Sequence, residues 1–268
     1  MNNKLLIIST IYNSLELVRG CVEHVKKNTT GDYEHILVFN HPPCPNVKEY
    51  IDLSGATVFD PNENIGCHRG FNFALSFREN HNITHVVKLD DDTLVPKNWN
   101  EPMMECLELD QDLAYISSIN DSAKQGFGNL IERQLGKYTI QIPKSGCVGF
   151  SCVMFPIETL NKIGTLSKIN TLYGGEELDF LERVKAANKY GAYLKENPAF
   201  HLDNENRDVD FVLWKFVYGF QGFTNKDFVE FKRDRQELIK GYTCWANNED
   251  NKTLQKIGKE QLEKIYNS

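Results

Sequence analysis

Residues 85–96 read HVVKLDDDTLVP. An apolar, β-branched stretch, interrupted at Lys88, runs straight into Asp90, Asp91 and Asp92. Adjacent like charges repel and fit poorly in a strand, so the acids mark its end. In open α/β sheets, ligands bind beyond the carboxyl ends of the strands. Strand alternation puts Asp90 and Asp92 on one side and turns Asp91 away. Two carboxylates aimed at one spot repel unless a cation joins them. Mg2+ and Mn2+ are hard ions that take carboxylate oxygens and keep positions for phosphate oxygens. A solvated acidic turn before Pro96 is the plain alternative, and a bare D-x-D pattern does not exclude it. The nucleophilic-aspartate pattern D-x-D-x-[TV] fits worse, because Thr93 falls one place early and Leu94 stands in its position.

Outward from this stretch, strand and helix patterns alternate. KLLIISTIY (4–12) is a continuous apolar run suited to a buried strand. In SLELVRGCVEHVKKN (14–28), Leu15, Val18, Cys21 or Val22, and Val25 recur at helical spacing, with Asn13 or Ser14 as N-cap. EHILVFN (34–40), ATVFDP (56–61) and ITHVVKLD (83–90) read as strands, and GFNFALSFREN (70–80) as a helix. CVGFSCVMFP (147–156) is a further strand candidate, followed by a short helix, IETLNKIG (157–164). LYGGEELDFLERVKAANKYGAYL (172–194) reads as a glycine turn and a helix with Leu178, Leu181 and Val184 on one face, stopped by Gly191. Residues 100–145 are less regular, and NDSAKQGFGN (120–129) reads as a mobile loop. The alternation predicts βαβ units and an α/β sheet. From about residue 205 the composition turns aromatic and densely charged, consistent with a mostly helical C-terminal extension.

At 268 residues, with 41% hydrophobic and 25% charged residues, the chain can bury a sizeable core in one large α/β domain with an appendage. The formal net charge of −7 argues against broad, non-specific binding to nucleic acid. The seven cysteines are odd in number and show no zinc-like C-x-x-C spacing, so free thiols in a reducing compartment are expected. MNNKLLIIST has too short an apolar run for a signal peptide or a membrane span. Together these readings predict a soluble, cytoplasmic protein.

Over roughly residues 4–204 the order of motifs resembles the family-2 glycosyltransferases with the GT-A fold. IISTIYNSLELVRGCVEHV is similar to that family's opening strand, turn and helix. NENIGCHRGFNFAL resembles its N-x-G-x-x-x-x-x-N segment through Asn64, Gly66 and Asn72. VVKLDDDTLVP resembles its metal motif through Asp90, Asp92 and Pro96, and CVGFSCVMFPIETLNKIG its acceptor-side strand and helix. YGGEELDFLERVKAANKYGAYLKENPAFH is similar to its G-E-D-x-D…R…G…P…H segment through Glu176, Glu177, Asp179, Arg183, Gly191, Pro198 and His201. Two positions depart from the pattern. The second strand ends in VFNHPPC, with Asn40 where the family usually has a base-contacting aspartate, and the catalytic pair is Glu176-Glu177 rather than Glu-Asp.

The resemblance implies a Rossmann-like, nucleotide-binding mixed sheet flanked by helices over 1–204; the composition of 205–268 reads as helices packed on it, with contact to acceptor, membrane surface or another subunit open. It implies transfer of a sugar, by inversion, from a nucleotide-sugar donor to an acceptor hydroxyl, with UDP-sugars favoured. Asp92 would ligate Mn2+ or Mg2+ directly, with Asp90 at the ribose or a metal-bound water and His201 completing the shell. Glu177 is the candidate general base and Glu176 the second candidate; the same pair also suits a helix start. Thr10, Tyr12, Asn13, Asn40, Asn64, Gly66, Arg69 and Asp91 complete the expected donor side, although Tyr12 also reads as core and Asn64-Gly66 as a turn. Trp99 and the loop 120–129 are candidate acceptor or lid contacts, and Asp179–Arg183 a structural ion pair.

The acceptor stays open among a glycan, a lipid-linked sugar and other hydroxyl compounds. Modified nucleic acid is less favoured by the net charge, and a homo-oligomer is compatible with the C-terminal segment. A non-catalytic nucleotide- or glycan-binding module is the alternative class. It would not need Glu176-Glu177 and Asp90/Asp92 in one chain. Sugar-phosphate nucleotidyl transfer is disfavoured, because STIYNSLE lacks the glycine-rich basic loop it requires.

Overall fold

A computed structural model of the chain describes residues 4–12, 14–40, 45–77, 82–118, 130–144, 147–166 and 176–202. Asn13, the loop 120–129 and the expected extension 205–268 lie outside the described residues.

The opening strand β1 (Lys4–Ile11) leads into α1 (Leu15–Asn28), whose N-cap Ser14 accepts from the Leu17 N–H. Then follow β2 (Asp32–Phe39), α2 (Pro45–Ser54), β3 (Thr57–Phe59) and α3 (Cys67–Ser76). β4 (Ile83–Asp90) runs into the acidic triplet and is followed by the two-residue β5 (Thr93–Leu94). The stretch expected to be irregular holds α4 (Asn100–Leu109), β6 (Leu113–Ser118) and the pair β7 (Leu130–Leu135) and β8 (Tyr138–Pro143). β9 (Cys152–Pro156), α5 (Ile157–Ile163), α6 (Glu176–Ala186), β10 (Tyr190–Leu194) and β11 (Phe200–His201) complete the order.

Nine of these strands form one mixed sheet in the order β3-β2-β1-β4-β9-β6-β10-β8-β7. β1 pairs in parallel with β2 on one side and β4 on the other. β9 runs antiparallel between β4 and β6, which turns the parallel half into a mixed sheet. Continuous apolar runs arise because both faces are covered. On β1, Leu5 and Ile7 pack with Cys21 and Val25 of α1 and Met103 and Cys106 of α4. Leu6 and Ile8 face the other way, toward Phe71 and Ala74 of α3 and Phe180 and Val184 of α6. Tyr115, Phe150, Phe155 and Phe180 meet there mostly edge to face, at centroid separations of 5.2–6.0 Å.

Several boundaries differ from the sequence reading for identifiable reasons. The strand expected at 147–156 is regular only from Cys152, because the carbonyls of Gly149, Phe150 and Ser151 bond to Ser117, Lys88 and Asp90 instead of continuing the ladder. The helix expected at 70–80 begins at Cys67, after Gly66 at φ 82°, and ends at Ser76. In α6 the buried face is Phe180, Leu181 and Val184, whereas Leu178 is exposed. Gly191 does not stop that helix. α6 ends at Ala186, the chain reverses at Asn188 with φ 55°, and Gly191 lies inside β10. A Cβ on Gly191 would come within 2.1 Å of Tyr115 Cζ, so the glycine is there to admit the ring. No helix among the described residues is long and apolar enough to cross a membrane. Among the described residues, Cys21, Cys67, Cys106, Cys147 and Cys152 are free thiols.

Two outcomes follow from this packing. Gly191→Ala must displace the Tyr115 ring, and a loss of about 1–3 kcal/mol is expected in urea unfolding. His35 on β2 sits 3.0 Å from Ser9 Oγ through Nε2, and burial lowers its pKa from 6.5 to about 4. The folded state therefore favours the neutral ring. Its contribution is full above pH 6.5 and is lost as pH falls toward about 4. Between pH 7 and pH 5, His35→Gln should remove roughly 1–2 kcal/mol of the wild-type decline in unfolding free energy.

Candidate active site

β4 ends at Asp90, and Asp91 and Asp92 form a turn before β5. Asp90 and Asp92 converge as expected and Asp91 turns away, but across this turn rather than along a regular strand. The Asp90 N–H donates to Ser151 O at 2.9 Å, and Lys88 Nζ donates to Asp90 Oδ1 at 2.5 Å. Asp91 Oδ2 accepts from the Tyr12 N–H at 2.8 Å, which ties the triplet to the end of β1. Asp92 is only 3% exposed, and its Oδ1 lies 3.1 Å from His201 Nε2.

His201 reaches this point from far along the chain through a small second sheet. β11 pairs antiparallel with β5, with His201 opposite Thr93 and Phe200 opposite Leu94. The Leu202 N–H closes the arrangement on Asp92 O at 2.7 Å. Asp90, Asp92 and His201 each offer a ligand atom, all within 4.8 Å of one another. Two carboxylates and an imidazole are a donor set that suits Mn2+ and accommodates Mg2+. The residues present therefore fit a divalent cation. Burial raises the Asp90 carboxyl above its usual range; the Lys88 charge opposes this and Asp92 adds to it, while 32% of the Asp90 side chain still reaches the surface.

The remaining donor-side residues line the ends of β1 and β2 and the turn before α3. Thr10 Oγ1 donates to Cys67 O at 3.1 Å, and its methyl lies so close to Gly70 that a Cβ there would be 2.9 Å away. Asn40 is 8% exposed, and its Oδ1 accepts from the Ile65 N–H at 2.9 Å. Asn64 Oδ1 accepts from the Gly66 N–H at 3.0 Å, shaping the turn that leads into α3. Arg69 Nε donates back to Ile65 O. These side chains thus brace the wall that the sequence assigned to the nucleotide. Tyr12 is half-buried beside them.

Glu176 opens α6, and Glu177 follows, half-buried. Burial raises the Tyr115 and Tyr193 phenols, with smaller contributions from Cys147 and Glu177. The 147–150 segment is held by Ser117 Oγ donating to Gly149 O at 2.6 Å and by the Gly149 N–H donating to Tyr193 Oη at 2.7 Å. Arg183 forms the expected pair with Asp179 at 2.7 Å and also donates to Ile163 O and Thr165 O, tying α6 to the end of α5. Asn72 grips Leu166 through both its amide oxygen and its amide nitrogen.

Trp99 is not an acceptor contact. It is 1% exposed in the core, with Nε1 donating to Thr29 Oγ1. The sequence reading missed Lys88, Ser117 and Tyr193. Only Lys88 left a signal, as the one charge inside an apolar strand, two places before Asp90 and so on the same face. The Asp91 brace has a direct test. In Asp91→Ala, hydrogen exchange at the Tyr12 amide should accelerate by at least about tenfold, the loss expected when a charge-assisted bond is removed.

A search of curated proteins finds no match. Many solved structures are similar in fold, two of which illustrate the likeness. One is the mannosyltransferase PcManGT from Pyrobaculum calidifontis, in complex with GDP-Man and Mn2+, with TM-score 0.61, 11% identity, and 81% of this chain and 62% of that chain covered. The other is GalNAc-T7 with UDP, GalNAc and Mn2+, with TM-score 0.57, 13% identity, and 89% of this chain and 54% of that chain covered. The chain therefore spans less than two thirds of either. The shared architecture is the GT-A fold. The sequence also matches the family described as Glycosyl transferase family 2 over residues 6–157, from β1 through β9. That match takes in more than half of the 268 residues and includes the acidic triplet at the end of β4, so the chain belongs to glycosyl transferase family 2.

Proposed function

We propose that the protein is a metal-dependent glycosyltransferase that moves a sugar from a nucleotide-sugar donor to an acceptor hydroxyl with inversion. The observation that carries this reading is the Asp90–Asp92–His201 cluster beyond the carboxyl end of β4. Bound there, Mn2+ or Mg2+ supplies the positive charge that a departing nucleoside diphosphate requires. Asp92 and His201 hold the cation, and Asp90 shares it or faces the ribose. The ends of β1 and β2, with Thr10, Tyr12, Asn13 and Asn40, receive the nucleoside, and the turn carrying Asn64, Gly66 and Arg69 lies on the phosphate side. Glu177 takes the proton from the acceptor hydroxyl, with Glu176 beside it in sequence. The braced 147–151 segment orients that acceptor, and holding both reactants in line removes much of the entropic barrier.

Of the two similar structures, one holds GDP-Man and the other UDP, so both hold nucleoside diphosphate groups. A UDP-sugar remains the favoured donor. The acceptor is a glycan, a lipid-linked sugar or another hydroxyl compound, with acceptor or subunit contact assigned to residues 205–268.

Isothermal titration with UDP and GDP, with and without Mn2+, tests this. Metal-dependent binding of one nucleotide is expected, and Asp92→Ala should abolish it. Glu177→Gln should keep that binding and lower transfer to a screened acceptor by about 10²–10⁴-fold, the range of a general base. Absence of binding by folded wild-type protein would sink the proposal.

A further inference from the structure

Lys88 is the oddity of the central strand. Its side chain is 4% exposed in a strand whose neighbours Val86, Val87 and Leu89 are fully buried. A buried ammonium is costly unless it is paired and hydrogen-bonded. Here Nζ donates to Asp90 Oδ1 at 2.5 Å and to Phe150 O at 3.0 Å. The residue thus joins the carboxylate cluster on one side to the 147–151 segment on the other. Asp90 is gripped at its backbone as well, its N–H on Ser151 O and its carbonyl accepting from Cys21 Sγ at 3.7 Å.

We propose that Lys88 is a built-in counter-ion of the Asp90–Asp92 cluster, holding Asp90 in place before any cation binds and cancelling one of the pair's two negative charges. Without it, the two carboxylates would lose the ammonium that Asp90 holds at the edge of the core. With it, a lone divalent cation meets a net single negative charge from Asp90, Asp92 and Lys88 together. Asp91 is engaged by the Tyr12 N–H. Such a site retains a bare cation weakly. A nucleoside diphosphate adds the missing negative charge, so cation and nucleotide bind together. Lys88 is therefore a positioning residue. The second half of this inference rests on reading the cluster as a cation site.

The test is a double-mutant cycle on the cation-free protein with Lys88→Met, Asp90→Asn and the double variant, unfolded by urea in the presence of a chelator. Lys88→Met should lower the midpoint clearly more in the wild-type background than in the Asp90→Asn background, where only the bond to Phe150 O is lost. If Lys88→Met alone does not fold, recovery of folding in the double variant is the expected result. An equal fall in both backgrounds, or failure of both to fold, overturns the inference. Electron paramagnetic resonance of free Mn2+ then measures binding of the metal alone. Removing one positive charge beside the ligands should tighten Mn2+ binding by about tenfold, as expected for unit charges about 5 Å from a divalent ion. Lys88→Arg should stay near wild type. Unchanged or weaker Mn2+ binding in Lys88→Met overturns the charge-cancelling role. No Mn2+ binding by wild type or variant overturns the cation site itself, while the unfolding cycle still decides whether Lys88 acts through Asp90.

Discussion

Placing carboxylates side by side at the end of a buried strand is the constraint to which the rest of the site answers. Asp90 and Asp92 lie where the sheet stops shielding its own backbone, and each negative charge there needs a compensating group. The chain supplies a different one to each acid. Lys88 serves Asp90, the Tyr12 N–H serves Asp91, and His201 meets Asp92. These partners come from β4 itself, from the end of β1 and from β11. The acidic triplet therefore knits together three parts of the chain that are remote in sequence.

The sheet makes such precision affordable. β1 is flanked in parallel by β2 and β4, and side chains pack on both of its faces, so the ends of these strands form a rigid rim. Sites built on strands hold their geometry better than sites on loops. Where loops do enter, their polar groups are tied down: Asn40 to Ile65, Asn64 to Gly66, Ser117 to Gly149, Asn72 to Leu166. The two-residue pairing of β5 with β11 is the smaller of the two sheets among the described residues, yet together with the Leu202 N–H on Asp92 O it carries His201 to the acids.

Membership of glycosyl transferase family 2 and the GT-A fold explain why an acidic turn stands at this point of the sheet. The departures are local. Asn40 commits its oxygen to the Ile65 N–H, and its amide nitrogen is a donor where a carboxylate has none. That is a different hydrogen-bonding character from the carboxylate usual at the end of the second strand. The glutamate pair at the start of α6 keeps the charge of a Glu-Asp pair with a longer reach.

Much of the fold was legible in the sequence. Apolar, β-branched runs such as 4–12 and 83–90 suit strands covered on both faces, and the spacing of Val18, Cys21 and Val25 suits a helix with one buried side. The acids at the strand end, and His201 through its motif, were legible too. What the local pattern did not disclose depends on neighbours distant in sequence. Trp99 and Leu178 exchanged their expected environments, because amphipathic spacing states that a face is buried but not where the face ends. Gly191 looked like a stop and is a gap for the Tyr115 ring, 76 positions away in the chain. The sequence by itself determined the α/β alternation and the chemistry concentrated at the end of β4, since periodicity and charge are properties of consecutive residues. Only the tertiary structure decided that Lys88, Tyr12 and His201 would each answer one of three adjacent aspartates, because the direction of a side chain leaving a turn is set by the packing around it.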